Sequence, residues 1–370
     1  MTMKTPRWPS RNRFLIAGAA AAAVALAVAG LAAPALARPS APAAQVSTSA
    51  QGPGYPPPKG IYKSFTNCPL NNPLMHEAGQ LSAANSFGGF AACVAGNAVT
   101  GSITLGNITT PVTEPVNVQF GFAWQPDNAG YPQPAYPPLA GESAILKTKA
   151  DLIPEALTTA LSCDTATDAT IQNICQTAEA NGGAYNQVYA LAQEAGQLSN
   201  FNLLAWTQPV KFKLINPLLG NNCYIGTDSD PVVLNPSLSV GPGGGLALLN
   251  DPQPTVHPDS EVLEITGASA GDNTFSAPGV IGCGPGGVSN VPVDEALNAS
   301  SGLPAASGNS LTLTGTFDVG VNAASEDTAL TQPQDDASNL LSAFQASTNG
   351  EHSVKHRITM KQFKNKFHKS

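Results

Sequence analysis

Six cysteines limit the folds open to this chain more than any other feature of its sequence. An even number of cysteines in an exported chain is typical of a disulfide framework. Six cysteines permit many pairings, and sequence proximity favours joining each one to its nearest neighbour. The favoured pairs are Cys68 with Cys93, Cys163 with Cys175, and Cys223 with Cys283. A metal site is the rival interpretation, but the sequence contains no C-x-x-C and no histidine pair close to the cysteines.

The first 37 residues are typical of a cleavable secretory signal. Four basic residues precede a run without charge at 14–33, and Pro34 then ends the helix. Ala35 and Ala37 are the small residues that signal peptidase requires, which predicts cleavage after Ala37 and a secreted or envelope-associated protein. An uncleaved anchor is the alternative, since about 20 apolar residues can just span a bilayer. The run is mostly alanine, which is only weakly hydrophobic.

Charged residues are scarce in this chain and unevenly placed. Asp, Glu, Lys and Arg make up 11% of the sequence, well below the roughly 25% usual in soluble proteins. Of the 25 acidic residues, all but Glu351 lie between residues 39 and 350, where the only basic residues are six lysines. A body this acidic argues against binding to nucleic acid, which requires a basic face.

Short runs of alternating apolar and polar residues predict a mainly β domain over residues 61–322. The longest run without interruption is 311–319. Gly106 and Asn107 predict a tight hairpin turn, and the glycines of 241–245 predict a flexible loop. About eight or nine short strands separated by turn signals are typical of an antiparallel β-sandwich or a barrel-like domain. The predicted strands are 90–94, 101–105, 108–112, 116–120, 210–215, 224–225, 232–234, 262–265 and 311–319.

Residues 142–200 depart from this pattern and predict an α-helical insertion. Apolar residues recur at helical spacing in three stretches, at 145–161, 171–178 and 185–198. The glycines at 182 and 183 mark the end of the second helix. We expect the insertion to pack against the sheet or to cap one end of a barrel.

Polar segments are predicted on both sides of the domain. Residues 38–60 are rich in Pro, Ala and Ser and are typical of a flexible linker. Residues 323–370 predict a mobile tail with one short helix around 339–344. The tail is basic from residue 351, which favours adhesion to anionic wall polymer or lipid head groups; a solvated tail without a partner is the alternative. Its cations are Lys355, Arg357, Lys361, Lys364, Lys366 and Lys369.

The body predicts no catalytic residue, cofactor or metal. It holds only two histidines, His76 and His257, and neither belongs to an H-E-x-x-H motif. His257 lies in a polar loop beside a proline and is the residue on which a hydrolase would draw. Asp228 and Asp230 have the spacing of a calcium loop, without the Gly and Glu that would complete an EF-hand.

Turn and cysteine motifs give the chain a resemblance to a group of uncharacterised secreted proteins of actinobacteria. The motifs are NCPLNNP at 67–73, Cys93 with Val94, CYIG at 223–226, NTF at 273–275, PGVIGCG at 278–284, Asn298, and GLPAASGN at 302–309. The resemblance spans roughly residues 60–320 and leaves out the basic tail. It implies that Cys223 and Cys283 belong to one C-terminal structural unit, and it implies no activity.

The sequence therefore favours binding over catalysis. We expect an exported, non-enzymatic protein of the envelope or extracellular space that binds a ligand or a cell-wall component. In one mechanism the helices and sheet enclose a lipid-like small molecule, as in a carrier. In another, loops around Tyr131 and Tyr136 contact wall polymer or a partner chain. A secreted hydrolase is a separate alternative.

Overall fold

The computed structural model describes 12 segments of the chain, and all of them belong to the unit Gln51–Ser370. The predicted signal peptide, most of the predicted linker, His76, Tyr131 and His257 lie outside the described residues. The described segments are 56–70, 72, 75, 90–124, 135–136, 143–146, 149–201, 204–250, 260–323, 336–347, 355–359 and 362.

Strands are more common than helices among the described residues. The strands are β1 (Phe90–Leu105), β2 (Ile108–Val112), β3 (Val116–Trp124), β4 (Ala135–Tyr136), β5 (Asp151–Leu152), β6 (Tyr189–Glu194), β7 (Gln208–Ile215), β8 (Tyr224–Ile225), β9 (Val232–Leu234), β10 (Ser237–Asn250), β11 (Ser260–Asp272), β12 (Val280–Ile281), β13 (Ser310–Ala323) and β14 (Lys355–Ile358). The helices are α1 (Leu157–Ala160), α2 (Ala169–Asn181), α3 (Val291–Ser301) and α4 (Asp336–Ala346).

Two antiparallel sheets confirm the predicted mainly β fold. The large sheet has the strand order β14-β10-β11-β13-β1-β3-β4, with β2 also paired to β1. The small sheet has the order β12-β8-β7-β6-β5, with β9 also paired to β7. The sheets do not close into a barrel, so the arrangement is sandwich-like.

β-Bulges interrupt the pairing register of the large sheet in three of its strands, β1, β10 and β11. The pairing register shifts between Ala98 and Thr100 in β1 and between Val240 and Gly245 in β10. Residues 241–245 were predicted to be a flexible loop, and this prediction is wrong because they form a bulge inside β10. Glycine is required there, since a Cβ on Gly244 would overlap the backbone oxygen of Thr266.

The inner face of the large sheet carries an aromatic core. Phe201 packs against Phe120 and Phe122 of β3, with ring centroids 4.9 and 4.6 Å apart. Trp206 stacks on Phe317 of β13 at 6.1 Å. Aromatic pairs at these distances contribute beyond the area they bury.

Part of the outer face of the large sheet is covered by a second layer, which we call the covering layer. It contains Tyr62, Phe65, Cys68, Leu70, Met75 and helix α4. In this layer Phe344 of α4 contacts Tyr62 and Phe65, with ring centroids 4.9 and 5.5 Å away. The helix predicted around 339–344 is confirmed. Residues 336–346 and 355–358 lie within the stretch predicted to be a mobile tail, yet α4 is buried on one side and β14 pairs with β10.

The predicted helical insertion is a mixture of helices and strands. Helix α2 agrees with the prediction for 171–178, but the stretch at 145–161 is helical only in α1. The prediction of a helix at 185–198 is wrong. Residues 189–194 form β6, which pairs with β7 along its whole length. Closely spaced alanines and leucines are compatible with both the helical period of 3.6 residues and the strand period of 2. Pairing with β7 therefore decides the conformation.

The hairpin between β1 and β2 agrees with the sequence prediction. Leu105 pairs with Ile108 across a two-residue turn of Gly106 and Asn107. The φ angle of Gly106 is 58°, which favours glycine at the first turn position. The backbone N–H of Gly106 donates to Oδ1 of Asn309 at 2.9 Å.

All six cysteines form disulfide bonds, in the three pairs that sequence proximity favours. Cys68–Cys93 joins the covering layer to β1, with Cα atoms 5.7 Å apart. Cys163–Cys175 joins the segment after α1 to α2, also at 5.7 Å. Cys223–Cys283 joins the residue before β8 to the loop after β12 at 4.2 Å. The first bond therefore ties a loop to a strand of the large sheet, and the second ties a loop to a helix.

Candidate functional site

The outer face of the large sheet is covered at one end and open at the other. At the covered end, Phe65 lies so close to Gly320 that a Cβ there would be 3.0 Å from its ring. Next to it, a Cβ on Gly121 would be 2.6 Å from the sulfur of Met75. Glycine is therefore needed at both of these contacts with the strands. Further along β13 the side chains are exposed.

The open end presents hydroxyl and amide side chains from five neighbouring strands, and we call it the hydroxyl face. Its members point to the same side of the sheet because side chains alternate along each strand. In β13 the three threonines are exposed, while Phe317 and Val319 point into the core. The members are Asn97, Thr100, Ser102 and Thr104 of β1, Thr109 of β2, Ser237 and Ser239 of β10, Thr266 and Ser269 of β11, and Thr312, Thr314 and Thr316 of β13.

The strand registers align these side chains in rows across the sheet. One row runs from Ser239 through Ser269 and Thr314 to Thr100. The rows on either side of it contain Thr316 and Thr312 at their centres. Neighbouring hydroxyls are separated by about 4.8 Å across strands and about 6.7 Å along a strand. The hydroxyl face is therefore a regular array.

Some hydroxyls of this face are bonded to one another or to the backbone. The Oγ1 atoms of Thr104 and Thr109 are 2.8 Å apart, and the hydroxyl of Thr266 donates to the carbonyl of Gly245 at 3.4 Å. A hydroxyl has one donor and two acceptor positions, so each retains capacity for a ligand. None of the members is ionisable, which suits hydrogen bonding and leaves no group for acid–base catalysis.

Two carboxylates border the hydroxyl face on the side of the covering layer. Glu264 of β11 lies opposite Asp318 of β13, one row beyond Thr266 and Thr316. Both acids are half-buried. Their negative charge disfavours an anionic polymer lying across this end of the sheet.

The sequence contains one G-x-S-x-G pattern, at residues 267–271, and sequence reasoning missed it. The pattern lies inside β11, where Ser269 is paired with Thr314 and with Ser239. A nucleophilic serine of this motif needs a sharp turn between a strand and a helix. Ser269 is therefore a member of the hydroxyl face and not the centre of a nucleophile elbow.

The pair Asp228 and Asp230 belongs to a closed turn. The carboxylate of Asp228 lies 2.6 Å from the ammonium of Lys211. The backbone N–H of Asp230 donates to Oγ1 of Thr227 at 3.0 Å. Lys211 therefore neutralises the Asp228 carboxylate that a calcium ion would need as a ligand. Across the part of the chain that the structure describes, no group of three or more His, Cys, Asp or Glu side chains could hold a metal ion.

A small apolar cavity lies between the β1–β2 hairpin and the small sheet. Its volume is about 40 Å³, which is room for roughly three water-sized groups. Pockets for small molecules measure about 300–1,000 Å³, so this cavity is too small for a lipid-like ligand. Its apolar lining includes Ile103, Leu105, Ile108, Phe212, Ile225 and Leu303.

The other residues singled out in the sequence are only partly described. Tyr136 lies in the edge strand β4 beside Gly121, whereas Tyr131 lies outside the described residues. Lys355 and Arg357 lie in β14, and Arg357 is exposed. The remaining tail cations, Lys361, Lys364, Lys366 and Lys369, are outside the described residues.

Comparison with protein-family models, with curated proteins and with solved structures gave no match. The resemblance to secreted actinobacterial proteins therefore stays a prediction. Among the helices that the structure describes, none combines the length and the apolar character needed to span a bilayer.

Proposed function

We propose that the protein is an exported, non-enzymatic binding protein that attaches to neutral polysaccharide of the cell envelope through its hydroxyl face. The observation that carries the proposal is the uncharged array of Ser, Thr and Asn side chains on five strands, with Thr312, Thr314 and Thr316 exposed at its centre. The three disulfides support an extracellular location, because such bonds persist in oxidising compartments.

The chemistry of this face favours a sugar polymer over other ligands. Phosphate-bearing polymers and lipid head groups require cations, and the hydroxyl face has none. Protein partners are bound mostly by buried aromatic and arginine side chains, which are also absent from its members. Sugar hydroxyls both donate and accept hydrogen bonds, as do the serine and threonine hydroxyls opposite them.

The shape of the face favours a long ligand. Small molecules bind in concave pockets, whereas the threonines at the centre of this face are exposed on the surface of a sheet. A net hydrogen bond contributes only about 0.5–1.5 kcal/mol, and no ring of the face is available for stacking on a sugar. Useful affinity therefore requires many simultaneous contacts, which an extended polymer provides.

Removing the central hydroxyls tests the proposal. The triple variant Thr312→Val, Thr314→Val and Thr316→Val retains side-chain shape and strand propensity while deleting three hydrogen-bonding groups. We expect its binding to purified, insoluble neutral cell-wall polysaccharide to be at least about tenfold weaker in a pelleting assay. Thr159→Val, an exposed change on α1, is the matched control and should bind like the parent protein. Undiminished binding by the triple variant would refute the role of the face.

The salt dependence of polysaccharide binding distinguishes attachment through the hydroxyl face from attachment through the basic tail. Hydrogen bonds between uncharged groups are insensitive to ionic strength, whereas contacts made by Lys355, Arg357 and the later tail cations are screened. We expect the polysaccharide-bound fraction to be the same in low and in high salt. Release by salt, or binding that is restricted to anionic polymer, would instead assign the adhesion to the tail.

A further inference from the structure

The outer face of the small sheet is apolar, exposed and outside the function proposed above. Leu152, Tyr189 and Ile215 form one row across β5, β6 and β7. The next row is formed by Leu191, Lys213, Tyr224 and Ile281, across β6, β7, β8 and β12. Together with Val233 of β9 and Lys211 of β7, we call these residues the tyrosine–lysine face.

Exposed large aliphatic side chains are concentrated on this face. The exposed fractions are 41% for Leu152, 38% for Ile215, 40% for Val233 and 50% for Ile281. Four of the eight large hydrophobic residues that are exposed in the described chain therefore share one surface. Exposed aliphatic side chains interspersed with tyrosines are typical of a protein–protein interface.

The charges of this face are complementary to one another. Lys213 lies between Leu191 and Tyr224, and it has no acidic partner among the described residues. Asp228 is 70% exposed and is bound on one side only, by Lys211. The same surface therefore offers both a cation and an anion to a partner.

We propose that two copies of this chain associate through the tyrosine–lysine face. In a twofold interface the same patch of each copy faces the other, so a contact between two different residues occurs twice, once in each direction. Lys213 of one copy then pairs with Asp228 of the other, while the aliphatic side chains around them are buried. A face that held only lysines would repel itself, whereas this one attracts a second copy.

The size of the face sets the strength of the dimer. Strand β7 has eight residues, or about 26 Å, and five strands side by side span about 19 Å. The footprint is therefore at most about 500 Å² on each copy and about 1,000 Å² in total, because β5, β8 and β12 have only two residues each. An interface of this size lies at or below the lower limit for specific interfaces. We therefore expect a reversible dimer with a dissociation constant in the micromolar range.

Sedimentation velocity on the purified protein, at concentrations rising through the micromolar range, tests the association. We expect the weight-average mass to rise from one copy toward two. Ile215→Asp places a charge among the exposed aliphatic side chains at one end of the face and should keep the protein monomeric. Val99→Asp changes an exposed aliphatic residue of the large sheet and is the matched control, so it should leave the dimer intact.

A charge exchange identifies the orientation of the two copies. Lys213→Asp and Asp228→Lys should each weaken the dimer about tenfold, because each places like charges together. The double variant restores an opposite pair, and its dissociation constant should return to within a few-fold of the parent value. A single copy at all concentrations, or a dimer that Ile215→Asp leaves unchanged, would overturn the proposal. Failure of the double variant to recover would refute the Lys213–Asp228 contact.

Discussion

At the scale of single residues, buried polar side chains hold the irregular segments beside the small sheet. The carboxylate of Asp294 accepts hydrogen bonds from the backbone N–H groups of Gly282 and Cys283 at 3.1 and 2.8 Å. Asn298, further along α3, accepts from the N–H of Val280 at 2.6 Å and donates to its carbonyl at 3.0 Å. Helix α3 therefore positions β12 and the disulfide-bonded loop through side chains.

Replacement of Asp294 tests this role. Asp294→Ala leaves two backbone N–H groups without an acceptor, so we expect the free energy of unfolding to fall by about 2–3 kcal/mol. Asp294→Asn retains one carbonyl oxygen and should cost less. Urea unfolding of both variants gives the comparison, and equal stability of Asp294→Ala and the parent protein would contradict the prediction.

At the scale of elements, local sequence patterns predict where strands lie better than they predict which strands pair with each other. The alternation at 311–319 predicts β13, and its threonines already indicate a polar outer side. Helix α3 was not predicted, although Asn290 as its N-cap and Gly302 at its left-handed end are helix signals. Its apolar residues cover too few turns to show a period. The hydroxyl face itself depends on which strands flank β13, and no local pattern encodes that pairing.

Helix α4 belongs to the domain, which the polar composition of the sequence around it did not reveal. Phe344 is 1% exposed between Tyr62 and Phe65. Phe344→Ala should therefore lower the free energy of unfolding by about 3–5 kcal/mol, as do other losses of a buried ring. Gln345→Ala, at the exposed neighbouring position, should have little effect. Denaturant unfolding that fails to distinguish the two variants would place α4 outside the cooperative unit.

At the scale of the whole molecule, the disulfides supply stability that a body of repelling acids needs. Their sequence separations are 25, 12 and 60 residues. The loop-closure estimate assigns about 3–4 kcal/mol to each bond, or about 10 kcal/mol together. This sum is comparable with the whole stability of an ordinary domain, about 5–15 kcal/mol. We therefore expect the folded state to depend on its disulfides.

When the disulfides are removed one at a time, the loss in the free energy of unfolding should increase with the sequence separation of the two cysteines. The double variant Cys223→Ser with Cys283→Ser should lose about 4 kcal/mol, and Cys163→Ser with Cys175→Ser about 3 kcal/mol. Full reduction should unfold the protein under conditions in which the oxidised protein is native. Circular dichroism with and without a reducing agent measures this. Retention of the native spectrum after complete reduction would show that the core suffices alone.

The described ends of the large sheet are formed by short strands, β4 with two residues and β14 with four. Strand β14 pairs with β10 and carries a lysine and an arginine. Short or cationic edge strands prevent the sheets of separate molecules from pairing edge to edge and forming fibrils. The basic residues of this strand thus protect the sheet against amyloid-like growth.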